Sequence, residues 1–390
     1  MNIAGIICEY NPFHNGHAYH IAETRSRFGA THVVCVMSGN FTQRGEAAIL
    51  DKHTRAKAAI EGGADLVISL PVAYATGSAE RFAFGAVKLT EELGCVGMLS
   101  FGSECGDVEL LGKAAGAAMF AEEEDSFKDK LKRGVSYPVA LEQTIGEFYD
   151  SVVTETLAKP NNILAAEYLK VLANLGSRIK PVTVTRTGAD HDSDAGTSDN
   201  IASASQIRTL MRKGGDYSRF VPNYCYNYDD IAEYSRLERA LLYKLRTTTP
   251  DDMRLAPNVL HGFENRIIKA AEVARSYEEL LLLCQTKRYT NSRVKRALNG
   301  ILLGIEKRDE NVNPSYVHIL AMNSRGKEIL TACADCKLPI SASLSQLAAH
   351  SREAKRAARL EARADDVYAL MFRQPRPSGE AYRKPAVIIQ

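Results

Sequence analysis

The chain has 390 residues, of which 45% are hydrophobic and 25% are charged, and its formal net charge is only +2. These values are ordinary for a globular protein, and the length allows more than one domain with its own core. A disordered chain and a protein that is basic throughout are excluded, so any surface for an acidic partner has to be local. No apolar run approaches the roughly 18 residues that a membrane-spanning helix requires.

The start of the chain and the cysteines both bear on location in the cell. Glu9 and His14 interrupt the apolar start before the hydrophobic region of a secretory leader could form. The eight cysteines are scattered, and three lie inside predicted strands: Cys8, Cys35 and Cys95. This is typical of buried free thiols in a reducing compartment, so we expect a cytoplasmic protein. The close pair Cys333 and Cys336 lacks a second ligand pair, which favours ordinary cysteines over a zinc or redox site.

Short apolar runs alternate with helix-like segments through the N-terminal half of the chain. The predicted strands are 3–10, 31–39, 65–71, 95–103 and 179–188. Each is continuously apolar instead of alternating, which is typical of strands that are buried on both faces. Helix-like segments follow at 15–28, 53–63 and 78–94, and again after the fourth strand. This alternation predicts an α/β fold with a parallel, doubly wound sheet.

Ligands of such sheets bind beyond the carboxyl ends of the strands, so the residues that follow each strand are the informative ones. They are 11–17, 38–46 and 101–104, and Arg186 at the end of the last strand. The loop 188–200 is rich in glycine, aspartate and serine, which favours a mobile lid and a plain surface loop about equally. The segment 201–215 then reads as a helix that is capped by Ser203 or Ser205.

From about Tyr217 the pattern changes, because strands largely disappear and helix-like segments dominate. These segments are 229–246, 265–284, 292–307 and 351–372. The last dozen residues of the chain look like a tail. We therefore predict an α/β domain over residues 1–215 and a mostly helical region over residues 216–390.

The motif His14-Asn15-Gly16-His17 directly follows the first strand. Its glycine permits close approach of a ligand to the backbone, and the helix behind it offers unpaired amides and the positive end of its dipole, which suit phosphate. Both imidazoles can donate to phosphate oxygens, where charge grows during attack at an α-phosphate. Zinc is less well supported because no third ligand lies nearby in sequence. A pair of hydrogen-bonded turn histidines is the structural alternative.

A second block, IASASQIR at 201–208, places two serines at a helix start and Arg208 one turn later. Serine hydroxyls, backbone amides and the guanidinium can together hold the β- and γ-phosphates of a nucleotide. Alone, the block is equally a helix cap with a solvated arginine. Its combination with the histidine motif favours a nucleotide site.

Together the two motifs resemble the HxGH-bearing nucleotidylyltransferase superfamily, whose members share a Rossmann-like domain and attack the α-phosphate of a nucleoside triphosphate with release of pyrophosphate. At closer range the chain resembles the family of bacterial tRNA(Met) cytidine acetate ligases. The blocks that carry this resemblance are, in chain order, GIICEYNPFHNGHAYHI, VMSGNFTQRGE, FGSECGD, KPNNILAAEYL, IASASQIR and KRYTNSRVKRALNGILLGI. The likeness is weakest in the C-terminal part of the chain.

The resemblance implies an ATP-dependent ligase that activates acetate as acetyl-adenylate and acetylates the exocyclic amine of the wobble cytidine of elongator tRNA(Met). It implies a Rossmann-like ATP-binding domain at 1–215 and tRNA binding by 216–390, and it assigns catalysis to His14 and His17. The implied ATP-binding residues are Ile7, Cys8, Glu9, Tyr10, Asn11, Pro12, Phe13, His14, Asn15, Gly16, His17, Ala18, Tyr19, His20, Gly102, Asn161, Arg186, Ser203, Ser205 and Arg208. Secondary candidates are Arg44, Lys52 and Arg55. Asn161 is otherwise simply a helix cap, and a lone strand-end arginine is otherwise usually solvated.

The chemistry of acetate explains why no catalytic base is expected. Acetate is ionised at neutral pH, so positioning and charge neutralisation suffice for its attack on the α-phosphate. The resulting mixed anhydride can acylate a weak amine that is held close while water is excluded. Mg²⁺ is expected with the triphosphate, although no dedicated protein cage for it is evident.

A local basic segment supplies the expected RNA surface. Its basic residues are Lys287, Arg288, Arg293, Lys295 and Arg296. Arg293 and Arg296 share a helical face that suits backbone phosphates, and Tyr289 is able to stack on a base. A solvated helix entrance is the plain alternative. The basic stretch at 351–363 is equally a second RNA contact or a solvated amphipathic helix.

Two rival functions remain open from the residues. A small-molecule adenylyltransferase or synthetase would share every motif of the N-terminal half, but a metabolite needs no basic helical surface. A non-catalytic RNA-binding protein on a nucleotide-binding scaffold is disfavoured by the intact histidine and serine motifs. The expected partners are therefore ATP, acetate and tRNA, with no membrane and no protein partner implied.

Overall fold

The computed structural model describes residues 1–186, 200–226 and 228–390. The predicted loop 188–200, with its lid interpretation, lies outside the described residues except for Asn200. No helix in the described part of the chain is both long and apolar enough to cross a membrane.

One mixed sheet organises the described residues. Its strands are β1 Ile3–Cys8, β2 His32–Ser38, β3 Leu66–Leu70, β4 Met98–Ser103, β5 Lys180–Thr185, β6 Val317–Met322, β7 Ile340–Ser341 and β8 Val387–Ile388. The strand order is β5-β4-β1-β2-β3-β6-β7, with β8 paired to β6. Strands β1 to β5 run parallel to one another, as the sequence predicts. The chain order reverses between β1 and β4, which makes their carboxyl ends the expected binding crevice.

The helices are α1 Asn15–Ser26, α2 Lys52–Glu61, α3 Val72–Ala75, α4 Ala79–Glu92, α5 Val108–Glu123, α6 Asp125–Lys132, α7 Tyr137–Phe148, α8 Ser151–Leu157, α9 Pro160–Leu175, α10 Ala204–Lys213, α11 Glu238–Thr247, α12 Pro250–Leu255, α13 Phe263–Val273, α14 Tyr277–Cys284, α15 Asn291–Leu303, α16 Lys307–Glu310, α17 Ser324–Ala332, α18 Leu344–Ala348 and α19 Arg352–Ala369. Alternate residues of the central strands point to opposite faces, and helices cover both faces. One face packs on α4, α9 and α17, and the other packs on α1, α2 and α10. This double coverage explains the continuous apolar character of the strands.

The described chain after Tyr217 is mostly helical, as predicted, but it also contributes three strands to the sheet, and the predicted C-terminal tail contains one of them, β8. Strand β6 pairs antiparallel with β3, and β7 and β8 pair parallel with β6. The run VHILAM is buried like the earlier strands, but it follows a long helical stretch, so no strand–helix alternation reveals it. The sheet therefore contains strands from both predicted domains, and the division at residue 215 stays a prediction.

Candidate active site

Helix α1 begins at the histidine motif, and the backbone fixes both rings. The Nδ1 atom of His14 accepts a hydrogen bond from the N–H of Gly16 at 3.1 Å. The N–H of His14 donates in turn to Nδ1 of His17 at 3.3 Å, which completes a reciprocal cap. Because both Nδ1 atoms accept, each neutral imidazole carries its proton on Nε2. The turn therefore provides two ring N–H donors at a helix N-terminus, as phosphate requires.

Burial and nearby positive charge favour the neutral form of His17 and of His20. The rings of His14 and His17 stack with their centroids 3.6 Å apart. Burial lowers the pKa of His17 well below its ordinary value, and His14, Arg186 and His20 lower it further. Burial and Arg186 lower the pKa of His20 to about 4.

A cleft of about 630 Å³, open to solvent, lies beside the two rings. Predicted site residues that line it are His14, Gly16, His17, Tyr19, His20, Gly102, Arg186 and Ser203. Four further lining residues were not predicted: Val184, Thr185, Ile201 and Ala202. They are neighbours of Arg186 and Ser203 in sequence. The end of β5 and the start of α10 are therefore the sequence features that could have identified them. The mixed lining and the position beyond the ends of β4 and β5 suit a nucleotide.

Other residues of the predicted block 7–20 support the turn from behind. Ile7, Tyr10 and Phe13 are buried in the two cores that flank the sheet. Asn11 is buried, and its Oδ1 accepts a hydrogen bond from the N–H of Ile49 at 2.8 Å. Further block residues outside the lining of the cleft are Cys8, Glu9, Pro12, Asn15 and Ala18. These buried residues thus fix the backbone that carries the two histidines.

Gly102 and Arg186 meet where β4 and β5 end side by side. A Cβ atom added to Gly102 would lie 3.2 Å from Cγ of Arg186, so a larger residue would press on the arginine. Burial lowers the pKa of Arg186, and the carboxylate of Glu104 opposes that shift. Among the described residues, Arg186 forms no ion pair.

Asn161 lies outside the lining of the cleft, at the start of α9. Its Nδ2 donates to Oε1 of Glu104 at 2.6 Å, and the N–H of Asn162 donates to Oε2 at 2.9 Å. In return, Oδ1 of Asn162 accepts from the N–H of Glu104 at 2.9 Å. Glu104 therefore caps α9 and fixes the end of β4, a role that the sequence analysis missed.

Arg208 links the helix α10 to the loop after β2. Ser203 is the N-cap of α10, as one of the two predicted candidates, whereas Ser205 is exposed outside the lining of the cleft. Arg208 donates from Nη1 to the carbonyl of Asn11 at 2.8 Å, and its Nη2 lies 3.7 Å from Oε2 of Glu46. Glu46 is thereby a second residue that sequence reasoning missed.

Helix α15 packs directly on this loop. Lys295 donates from Nζ to Oε1 of Glu46 at 2.8 Å, and Nη1 of Arg296 donates to the carbonyl of Gln43 at 3.4 Å. Gly45 has φ +75°, and a Cβ atom there would lie 2.6 Å from Cβ of Lys295. Only glycine permits both this backbone conformation and this approach. The predicted RNA-binding helix therefore contacts the loop that follows β2, in the predicted ATP-binding part of the chain.

Tyr289 does not present a free ring for stacking on a base, contrary to the sequence-based expectation. It is 7% exposed, and its ring stacks on Phe263 with centroids 3.6 Å apart. The guanidinium of Arg293 lies over the tyrosine ring at 4.8 Å. Lys287 and Arg288 are exposed beside this stack. The segment thus offers cations at its surface, while its aromatic residue holds α13 and α15 together.

Two of the secondary candidates are structural. Lys52 is 1% exposed, and its Nζ lies 2.7 Å from Oδ2 of Asp365. Arg55 is fully buried and donates to the carbonyls of Leu50, Glu9, Ser38 and Gly39. Arg44 is exposed. Lys52 and Arg55 are therefore held by partners inside the protein and are not available to a ligand.

No group of three or more histidine, cysteine or acidic side chains is arranged to hold a metal ion within the described ranges. Cys333 lies with its Sγ 2.8 Å from Sγ of Cys95, and the Sγ of Cys336 contacts the carbonyl of Leu338 at 3.6 Å.

Comparisons with known proteins identify the family of the chain. Residues 1–382 match the model of the family described as HIGH Nucleotidyl Transferase. A protein of Acetivibrio thermocellus named tRNA(Met) cytidine acetate ligase is 37% identical over the full length of both chains. One of that name from Clostridium perfringens is 40% identical over 85% of this chain and 86% of its own.

The solved structures of Thermotoga maritima TmcAL have a similar fold. The form bound with alpha-thio ATP has a TM-score of 0.90 and 28% identity, and it covers 100% of this chain and 99% of its own. The apo form has a TM-score of 0.91 at the same identity. The chain therefore belongs to the HIGH nucleotidyl transferase family, within the group of tRNA(Met) cytidine acetate ligases.

Proposed function

We propose that the protein is an ATP-dependent ligase that forms acetyl-adenylate and transfers its acetyl group to the exocyclic amine of the wobble cytidine of elongator tRNA(Met). The observation that carries the proposal is the stacked pair His14 and His17, which opens onto the same cleft as Arg186 and Ser203. The relatives named for this activity, and the alpha-thio ATP bound by the Thermotoga maritima protein, support it.

The first half-reaction uses the cleft. The triphosphate would lie at the start of α1, where the ring N–H groups of His14 and His17 donate to the α-phosphate as its negative charge grows. Arg186 would supply a permanent positive charge, and Gly102 would let the adenosine approach the end of β4. Acetate then attacks without a base, and pyrophosphate leaves.

Mg²⁺ fits this scheme as a companion of the substrate. The residues of the cleft offer few carboxylates, whereas Mg²⁺ prefers oxygen ligands and is often held through substrate phosphates. We propose that the triphosphate oxygens hold the ion and that protein residues contribute mainly through water. The ion would neutralise charge on the departing pyrophosphate.

The second half-reaction would bring tRNA across α15. Lys287 and Arg288 are exposed at its entrance, and Lys295 is anchored on the loop that follows β2. Phosphate contacts from these cations would position the anticodon arm next to the cleft. We call these three residues and the half-buried Arg293 the basic strip. The guanidinium of Arg293 is held over the ring of Tyr289.

The test is incorporation of labelled acetate into bulk bacterial tRNA with ATP and Mg²⁺ and without acetyl-CoA. The proposal expects label in RNA that requires ATP and that is lost with His17→Ala. Pyrophosphate release with another small acid, and no label in RNA, would identify a small-molecule synthetase instead. ATP binding without any pyrophosphate release would indicate a non-catalytic RNA-binding protein.

A further inference from the structure

A cluster of opposite charges lies where β2 and β3 end, beside the nucleotide half. We define the edge cluster as Gln43, Gly77, Arg81, Arg296 and Glu310. Gln43 connects its members, because its Nε2 donates to the carbonyl of Gly77 at 3.5 Å and its carbonyl accepts from Arg296 at 3.4 Å. A Cβ atom on Gly77 would lie 3.3 Å from Oε1 of Glu310 and 2.8 Å from Cβ of Arg81. The cluster is therefore compact and leaves no room for a larger residue at Gly77.

The edge cluster is tied to the predicted ATP block. The N–H of Gln43 donates to Oε1 of Glu9 at 2.7 Å, and Glu9 directly follows β1. The cluster thus lies on the β2–β3 side of β1, whereas the nucleotide cleft lies on the β4–β5 side. Helix α15, which is predicted to bind RNA, contributes Arg296 to this cluster.

Polar atoms of the edge cluster lack partners although they are buried. Oε1 of Glu310 and Nε of Arg296 form no hydrogen bond with any described residue. Arg81 and Arg296 face Glu310, yet no ion pair joins them within the described chain. A buried carboxylate or guanidinium that is left unpaired is expensive, so such groups are retained where a ligand satisfies them.

We propose that Glu310 and Arg296 read the Watson–Crick edge of the cytosine that becomes acetylated, with Arg81 as an additional donor. The inference rests on the proposed function and names the residues that select its base. Glu310 accepts a hydrogen bond from the N4 amine, and Arg296 donates to the N3 and O2 acceptors. Unstacked bases are recognised in this way on their Watson–Crick edges.

The pairing of charges selects cytosine among the four bases. A carboxylate accepts from the N4 amine of cytosine, but it repels the O4 of uracil and the O6 of guanine, which are acceptors at the same place. Adenine has an amine there, but it is a larger purine and lacks an O2 acceptor. A backbone phosphate would be repelled by Glu310 as well. Burial raises the pKa of Glu310 to about 7 against the influence of Arg81, so its charge in the free protein is incomplete.

The experiment compares affinities of elongator tRNA(Met) transcripts that carry C, U or A at the target position, at fixed salt. One good hydrogen-bonded pair discriminates by about 10- to 100-fold, so we expect wild type to prefer C over U by that factor. Glu310→Gln should bring the C/U ratio close to one, because a carboxamide can donate to O4. The matched control is Glu80→Gln, which removes an exposed carboxylate next to Arg81 and should keep the ratio.

The melting temperature separates recognition from folding. If Glu310 serves recognition, Glu310→Gln melts at or above the wild-type temperature, because an unpaired buried charge is removed. Arg296→Met should lower binding of the C transcript more than binding of the U transcript. Equal losses for all transcripts would make Arg296 a phosphate contact and overturn the inference.

Failure of the proposed function is visible in a different readout. If wild type acetylates tRNA but Glu310→Gln keeps the wild-type C/U ratio, only the base-reading inference is wrong. If wild type acetylates no tRNA although it exchanges pyrophosphate with ATP, both are overturned.

Discussion

On the β4–β5 side of β1 the cationic and imidazole groups line an open cleft, whereas on the β2–β3 side the basic groups are mostly paired within the protein. Arg186 lines the cleft and forms no ion pair among the described residues. Lys52 lies against Asp365, and Arg55 is enclosed by backbone carbonyls. Both sides carry basic residue types. Saturation by internal partners, and not residue type, therefore separates structural cations from those available to a ligand.

The boundary between the two sides is Glu46. It joins Arg208, which belongs to the nucleotide motif, to Lys295, which belongs to the expected RNA-binding helix. Two functions that are adjacent in space would thus meet at one carboxylate. Substitutions on either side should separate adenylate formation from tRNA binding, and this comparison is testable.

The largest effect is expected on the rate of adenylate formation, from a substitution in the cleft on the β4–β5 side of β1. His17→Ala removes one of the two ring donors at the α-phosphate, and loss of one such donor lowers a rate by about 10²- to 10³-fold. Acetate-dependent exchange of pyrophosphate with ATP measures this step. We expect tRNA affinity to stay close to wild type, because His17 lies in the cleft.

His261→Ala is the matched control, since that imidazole is exposed in the helical region. Equal loss of exchange and of tRNA binding in His17→Ala would contradict the separation and would indicate disruption of the turn.

The next effect belongs to the basic strip. Replacing Lys287 and Arg288 together by alanine removes two exposed cations, so tRNA affinity should fall about tenfold at low salt and the salt dependence should become shallower. Filter binding across a salt series measures both, while pyrophosphate exchange should not change. Replacing Lys113 and Lys132, which are exposed on α5 and α6, gives the same loss of charge far from α15. If that control weakens tRNA binding equally, the strip has no specific role.

A smaller effect is expected at the boundary. Glu46→Gln removes the charge that holds Arg208 and Lys295, so the KM for ATP in pyrophosphate exchange should rise about fivefold with little change in kcat. Although Glu46 is partly buried, which opposes the shift, Lys295 lowers its pKa, so the wild-type carboxylate is charged at neutral pH. Glu306→Gln, which removes a carboxylate that pairs with Arg308 and Arg356 instead of with Arg208 or Lys295, is the control. An unchanged KM together with weaker tRNA binding would show that Glu46 acts on Lys295 alone.

The sequence predicts the β4–β5 side of β1 well and the β2–β3 side poorly. Strands β1 to β5 and the histidine turn depend on local signals, namely continuous apolar runs, a glycine between two histidines and a serine cap. The partner of Lys52 is Asp365, and the partner of Arg208 is Glu46. No spacing rule in the sequence connects the members of either pair. The strand β6 was missed for the same reason, since its neighbour β3 lies far away along the chain. Long-range pairing is what a single sequence does not display.

The smallest effect concerns the stability of the β2–β3 side of the sheet, where His318 of β6 is 3% exposed. Burial, followed by Lys52, lowers its pKa to about 3, whereas an unfolded histidine has an ordinary pKa of about 6.5. The unfolded state therefore binds more protons below pH 7, and stability falls as pH falls. Between pH 8 and pH 6 this single group should lower the free energy of unfolding by about 0.8 kcal/mol, whatever its folded value below pH 5. Urea unfolding at both pH values should show a smaller decrease for His318→Gln than for wild type, while the exposed control His350→Gln should behave like wild type. An equal decrease in all three proteins would show that protonation of His318 does not lower the free energy of unfolding.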